Sequence, residues 1–193
     1  MGMDVTMIAD GLWQWSASVE ARTRWSTYVE APDATVLIDP GLPEEDAERD
    51  RFWRAFDADV ERRGLPVRVL VTGEPDDPML QALRDRHGAD VHGPSADRAR
   101  GIAPIADETS PIGGIVCRHL TAPTGERRGI YLLHDHAAVV IGEFPDVPEH
   151  RRTLVTHVID STNMRAEKTG ETPTTFRWLL SAIAPAEDLS RTD

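Results

Sequence analysis

Few side chains in this sequence are placed to do chemistry, and most of those are acids. Glu74, Asp76 and Asp77 crowd one short loop, Asp39 ends one apolar run, and Glu143 ends another. Carboxylates that converge suit hard cations such as Mg or Mn, and a cation so held would support metal-assisted hydrolysis of an ester or phosphoester. The competing reading is that acids beside Gly and Pro are solvated turn residues. His134, Asp135 and His136 form a second polar cluster, but they separate two short apolar runs and read as a hairpin tip. Cys117, the single cysteine, lies inside an apolar run, where a small thiol is buried and inert. No Gly-x-Ser-x-Gly elbow and no Gly-rich phosphate loop occurs, so acyl transfer by a serine and nucleotide binding lack their usual sequence support.

The acidic loop must be positioned by the elements on either side of it. Val67, Val69, Leu70 and Val71 form a β-branched run bounded by Pro66 and Gly73, as in a buried parallel strand. Asp77 followed by Pro78 reads as a helix N-cap with proline at the first helical position. The stretch is then strand, loop and helix N-terminus, and ligands of α/β proteins sit beyond the carboxyl ends of such strands.

The run from Thr72 through Gly73, Glu74, Pro75, Asp76 and Asp77 to Pro78 resembles the metallo-β-lactamase-fold (glyoxalase II-like) hydrolases. Their counterpart is T-H-x-H-x-D-H, in which the histidines and the aspartate hold zinc. Position by position, Thr72 and Asp77 are kept, while Gly73, Pro75 and Pro78 stand where histidines would. Neither Gly nor Pro carries a metal-binding side chain, so the loop lacks the donors that zinc prefers. The resemblance extends along the chain with the same pattern of loss. Residues 38–41, Ile-Asp-Pro-Gly, match a turn whose aspartate supports the metal site, a role it would assign to Asp39. The bland reading, that Asp39 bonds nearby loop amides, is preferred here. The family's P-G-H-T-x-G corresponds to residues 122–126, with Pro123 at the histidine and Thr124 beside it. The metal-bridging Gly-Asp corresponds to Gly142-Glu143, and the final His-Gly has no counterpart.

The resemblance implies a single domain over residues 1–193, a four-layer αββα sandwich of two mixed β-sheets. It also implies a vestigial site, for which Asp39, Thr72, Gly73, Glu74, Asp77, Thr124 and Glu143 are the ligand-binding candidates. The expectation is a protein without zinc that binds a small molecule or a protein partner. The alternative is a hydrolase whose carboxylate-rich site takes Mg or Mn.

Periodicity supplies the elements. Val5–Ala9 and Leu12–Val19 read as strands around an Asp10-Gly11 turn, and residues 25–31 and 34–39 as a hairpin closed by Pro32-Asp33. In residues 43–63, Phe52, Phe56 and Val60 recur every fourth position behind Glu44, Glu45, Asp46 and Glu48, an amphipathic helix stopped at Gly64. Leu80, Leu83 and His87 share one face of a second helix ended by Gly88, and residues 89–92 complete a βαβ unit. His87 and His92 read as structural or surface residues. Residues 95–100 suggest a short helix, and 101–114 an irregular loop. Strands follow at 115–120, 129–133 and 137–141, with a later one around His157. Thr172-Pro173 opens a last helix carrying Phe176, Leu179, Leu180 and Ile183.

Composition bounds the function. With 33 acidic against 21 basic residues, the net charge is −12 at pH 7, which disfavours nucleic acid and anionic membranes as partners. One cysteine excludes an intramolecular disulfide, and no apolar run approaches the ~20 residues that span a bilayer. A cytoplasmic location is expected, and a homo-oligomer is compatible with the pattern. Trp13, Trp15, Trp25 and Tyr28 are read chiefly as core residues of the first strands, with a partner surface as the other reading.

Overall fold

The computed structural model describes residues 3, 5–19, 22–121, 125, 127–136, 138–141, 157–160 and 167–168. Its first sheet begins as an antiparallel meander, β1 (Val5–Ala9), β2 (Leu12–Val19), β3 (Arg22–Glu30) and β4 (Thr35–Ile38). Gly11, at φ 73°, permits the tight first turn. The chain then leaves the sheet through α1 (Asp46–Arg63) and returns as β5 (Val67–Leu70), parallel to β4. A second crossover, α2 (Asp77–His87), leads to β6 (Asp90–Gly93), and β7 (Ile102–Pro104) closes the sheet at its far edge. Sequence order is therefore spatial order, β1 through β7.

The second sheet contains β8 (Thr109–Ile112), β9 (Ile115–Thr121), β10 (Arg127–Leu133), β11 (Ala138–Ile141), β12 (His157–Asp160) and β13 (Glu167–Lys168). They lie side by side in the order β13-β12-β11-β10-β9-β8, and only β11 with β12 is parallel.

Period-two alternation sends each strand's residues to two different cores. Between the sheets, Leu12, Val29, Val36, Ile38 and Leu70 meet Cys117, Tyr131, Leu133 and Val140. On the other face of the first sheet, Trp15, Leu37, Val67, Val69 and Val91 pack on Phe52, Trp53 and Phe56 of α1 and on Met79, Leu80 and Leu83 of α2. The first sheet is thus covered on both faces, as parallel strands require. The expected two-sheet sandwich is present. The expected final helix from Thr172 lies outside the described residues.

Four expectations are corrected. α1 begins at Asp46 rather than residue 43, because the Leu42 amide is held by the Asp76 carboxylate at 3.0 Å and the chain is pinned as a loop until it clears that contact. The N-cap of α2 is Asp76, whose carboxylate accepts the Met79 amide at 3.2 Å, so Asp77 is already helical. Residues 95–100 form turns instead of a helix, since the Asp97 side chain accepts the Arg100 amide and its backbone pairs with Ile102. Residues 101–114 contain β7 and β8 instead of an irregular loop. Pro104 and Pro111 obscured them, and both strands run along sheet edges, where proline is tolerated.

Leu83 is fully buried between α2 and the sheet. Leu83→Ala is expected to lower unfolding stability by about 2–5 kcal/mol, read as a lower urea midpoint with an unchanged slope.

Candidate functional site

The carboxyl ends of β4 and β5 stop side by side, and the groups that follow them are tied together before any ligand arrives. Asp39 is buried in a left-handed conformation at φ 48°. That conformation is one that Asp tolerates better than most residues. It folds the carboxylate back onto β5: Oδ1 accepts the Thr72 amide at 2.8 Å and Oδ2 accepts the Thr72 hydroxyl at 2.6 Å. The Asp39 amide donates to the Leu70 carbonyl at 3.0 Å. The nearby Gly41 and Leu42 amides go elsewhere, to Ser26 Oγ and Asp76 Oδ2.

The same turn is held from the second sheet. The Gly129 amide donates to the Thr72 carbonyl at 2.7 Å, and the Tyr131 hydroxyl donates to the Val71 carbonyl at 2.7 Å. Tyr131 is fully buried, and its hydroxyl is pushed well above its ordinary pKa by burial, reinforced by Cys117 and Asp39. Burial likewise raises the Cys117 thiol to about 12, with Asp107 adding to the effect and a hydrogen bond with Tyr131 opposing it. A thiol so placed is not a nucleophile at neutral pH.

Gly73 adjoins a side chain of the second sheet. A Cβ at that position would lie 2.6 Å from Arg128 Nη1 and 3.3 Å from its Cδ and Cζ. The Arg128 guanidinium thus occupies the space that a side chain at position 73 would enter. The neighbouring Glu74 is exposed, and its carbonyl accepts a bond from Arg24 at 3.3 Å.

Asp77 departs from this cluster. It is exposed at the start of α2 and forms an ion pair with Arg100, Nε to Oδ1 2.9 Å. Of the expected site residues, Asp39, Thr72 and Gly73 come together, Glu74 borders them with its side chain in solvent, and Asp77 faces elsewhere. Thr124 and Glu143 lie outside the described residues. Two roles have no counterpart in the sequence-based expectations, the capping of α2 by Asp76 and the contact of Arg128 with Gly73. Asp76 was detectable, because Met79 stands at its N3 position as readily as Leu80 does for Asp77. Arg128 had no local signal, since its contact with Gly73 joins two sheets.

These residues do not fit a zinc ion. Gly73 and Pro75 offer no donor, both carboxylate oxygens of Asp39 are engaged by Thr72, Asp77 is engaged by Arg100, and a cation already lies against Gly73. Among the described residues, no group of three or more His, Cys, Asp or Glu is arranged to hold a metal. Among the described residues the histidines are dispersed. Burial lowers the pKa of His92, with help from Arg68, and burial also lowers His136 against the pull of Asp135. His87 Nε2 lies 2.9 Å from Asp57 Oδ1, with its ring edge-on to Phe56 and tilted beside Trp53.

Two sheets face to face, a meander passing into parallel strands through α1 and α2, and a loop cluster at the ends of β4 and β5 define the metallo-β-lactamase fold. The chain has that fold. It is similar to the DIM-1 metallo-β-lactamase, with a TM-score of 0.63 and 10% identity over 98% of this chain and 99% of that one. A metallo-β-lactamase from Hirschia baltica gives 0.61 and 12% over 86% and 93%. FIM-1 from Pseudomonas aeruginosa, in its mono-zinc form, gives 0.61 and 14% over 99% and 97%. No family model matches the chain, and no curated protein matches it either.

A double-mutant cycle tests the contact at Gly73. Gly73→Ala is expected to destabilise by about 1 kcal/mol by displacing Arg128, and the cost should shrink when Arg128→Ala is already present. Urea unfolding of the four proteins measures it, and strict additivity would refute the contact.

The pH dependence follows from the buried thiol and phenol. Their folded pKa values exceed the unfolded ones, so above pH 9 the unfolded state releases protons that the folded state retains. Stability should therefore be intact below pH 9 and fall as pH rises toward 12. Unfolding midpoints across that range should decline less steeply in Cys117→Ala than in the parent.

Proposed function

We propose that this chain uses the metallo-β-lactamase fold as a non-catalytic module that binds a small molecule or a protein partner, without zinc. The observation that carries the reading is the Arg128 guanidinium over Gly73. In the resemblance, position 73 would present a histidine nitrogen to a cation. Here a guanidinium fills the space beside that position, and it has no lone pair with which to ligate a metal ion. The distribution of acids supports the same reading. Asp39 is buried and turned onto Thr72, whereas Asp77 is exposed beside Arg100, so the two do not converge on one Mg or Mn ion.

The setting we propose is the cytoplasm, with neither nucleic acid nor lipid as partner. The net charge of −12 supports the exclusion of polyanions, and a single buried cysteine is compatible with a reducing compartment. Among the described residues, no helix is long and apolar enough to cross a membrane.

Protein purified without chelator is expected to contain far less than one equivalent of Zn, Mn, Mg or Ca by elemental analysis. Its melting temperature should not move when each ion is added, and a chromogenic β-lactam should not be turned over. Stoichiometric metal, or a melting shift that follows mass action, would overturn the proposal.

A further inference from the structure

On the helix-covered face of the first sheet, away from the Asp39–Thr72 turn, β1 to β3 and α1 enclose an open cavity of about 280 Å³. Its walls are aromatic: Trp13, Trp15 and Tyr28 from the sheet, and Phe52 and Phe56 from α1. These rings hold one another in fixed orientations. Trp13 meets Tyr28 edge-on at 5.3 Å, Trp15 lies 5.6 Å from Phe52, and Phe52 stacks on Phe56 at 5.6 Å. A wall of interlocked rings presents flat apolar surface at little entropic cost on binding.

The cavity also has a polar side, made by Glu30, Asp59 and Arg62. Arg62 bonds both carboxylates, Tyr28 donates its hydroxyl to Asp59, and Arg63 pairs with Glu30 at 3.2 Å. Two carboxylates thus face two guanidinium groups. No net charge remains to draw an ion into an apolar recess, where an unpaired charge is costly to bury. Carboxylate oxygens still have lone pairs to accept a further hydrogen bond.

We infer that this cavity is a binding site for a neutral, flat small molecule of about two fused rings that carries a hydrogen-bond donor. The size follows from volume, since a cavity of about 150 Å³ accommodates benzene and this one is nearly twice as large. The flat shape follows from the rings, and the neutral donor from the balanced carboxylates. A second copy of the chain fits less well. Among the described residues the exposed large hydrophobics are Val5 and Met7 alone, far short of the roughly 800 Å² per partner that a stable interface buries. This site does not depend on the metal-free reading of the Asp39–Thr72 turn.

Indole is the probe, titrated calorimetrically into the full chain beside indole-3-acetate and tryptamine, its anionic and cationic counterparts. Saturable 1:1 binding of indole is expected, with both charged analogues at least tenfold weaker. Ala55 lines the cavity from an exposed position on α1. Ala55→Trp should plug the site, weaken indole at least tenfold and leave cooperative unfolding intact, and the smaller plug Ala55→Leu should weaken it by less. Absence of saturable binding, an unchanged affinity in both variants, or tighter binding of a charged analogue would overturn the inference. So would a dimer, seen by sedimentation, that Ala55→Trp dissociates, because a second copy would then cover the cavity.

Discussion

The bond pair between the Asp39 carboxylate and Thr72 is the contact on which the middle of the structure depends. A buried carboxylate is tolerated only when hydrogen bonds replace its water, and here one backbone amide and one hydroxyl do so at 2.8 and 2.6 Å. The bonds fix where β4 and β5 end relative to one another. They orient the peptides on either side of Thr72, so that the Val71 and Thr72 carbonyls face the second sheet and receive Tyr131 and Gly129. One side chain thereby connects the end of the meander, the first parallel strand and the facing sheet.

Its other consequence is chemical. The Asp39 carboxylate is buried against Thr72 instead of being presented to the loop, and the loop beyond it carries Gly73 and Pro75, which have no donor side chain. Arg128 then brings a guanidinium from β10 against Gly73. The acids of the loop are distributed among structural tasks: Asp76 caps α2 and holds Leu42, while Asp77 pairs with Arg100. A set of carboxylates close in sequence thus disperses in space.

The aromatic residues of the meander follow the opposite course. Trp13, Trp15 and Tyr28 lie on different strands, and Phe52 and Phe56 lie on a helix, yet pleat and helical period send all five to one face of the first sheet. Trp15 and the phenylalanines complete a core with Leu37. The wall they form with Trp13 and Tyr28 stops short of closing, which leaves the cavity.

By itself the sequence determined the local elements, because their causes are local. Alternation along Leu12–Val19, the four-residue spacing of Phe52, Phe56 and Val60, and glycines 64 and 88 at helix ends act within a few residues of where they stand. That Gly73, Pro75 and Pro78 carry no metal-binding side chain is legible in the same way, since a side chain that is absent is absent in any fold. The edge strands β7 and β8 escaped detection because their prolines are acceptable only where one side of a strand is unpaired, a fact that the assembled sheet decides. Which carboxylate bonds Thr72 and what fills the space at Gly73 were likewise decided by tertiary structure. Each depends on the distance between residues on separate strands or sheets, and that distance exists only once the two cores have packed.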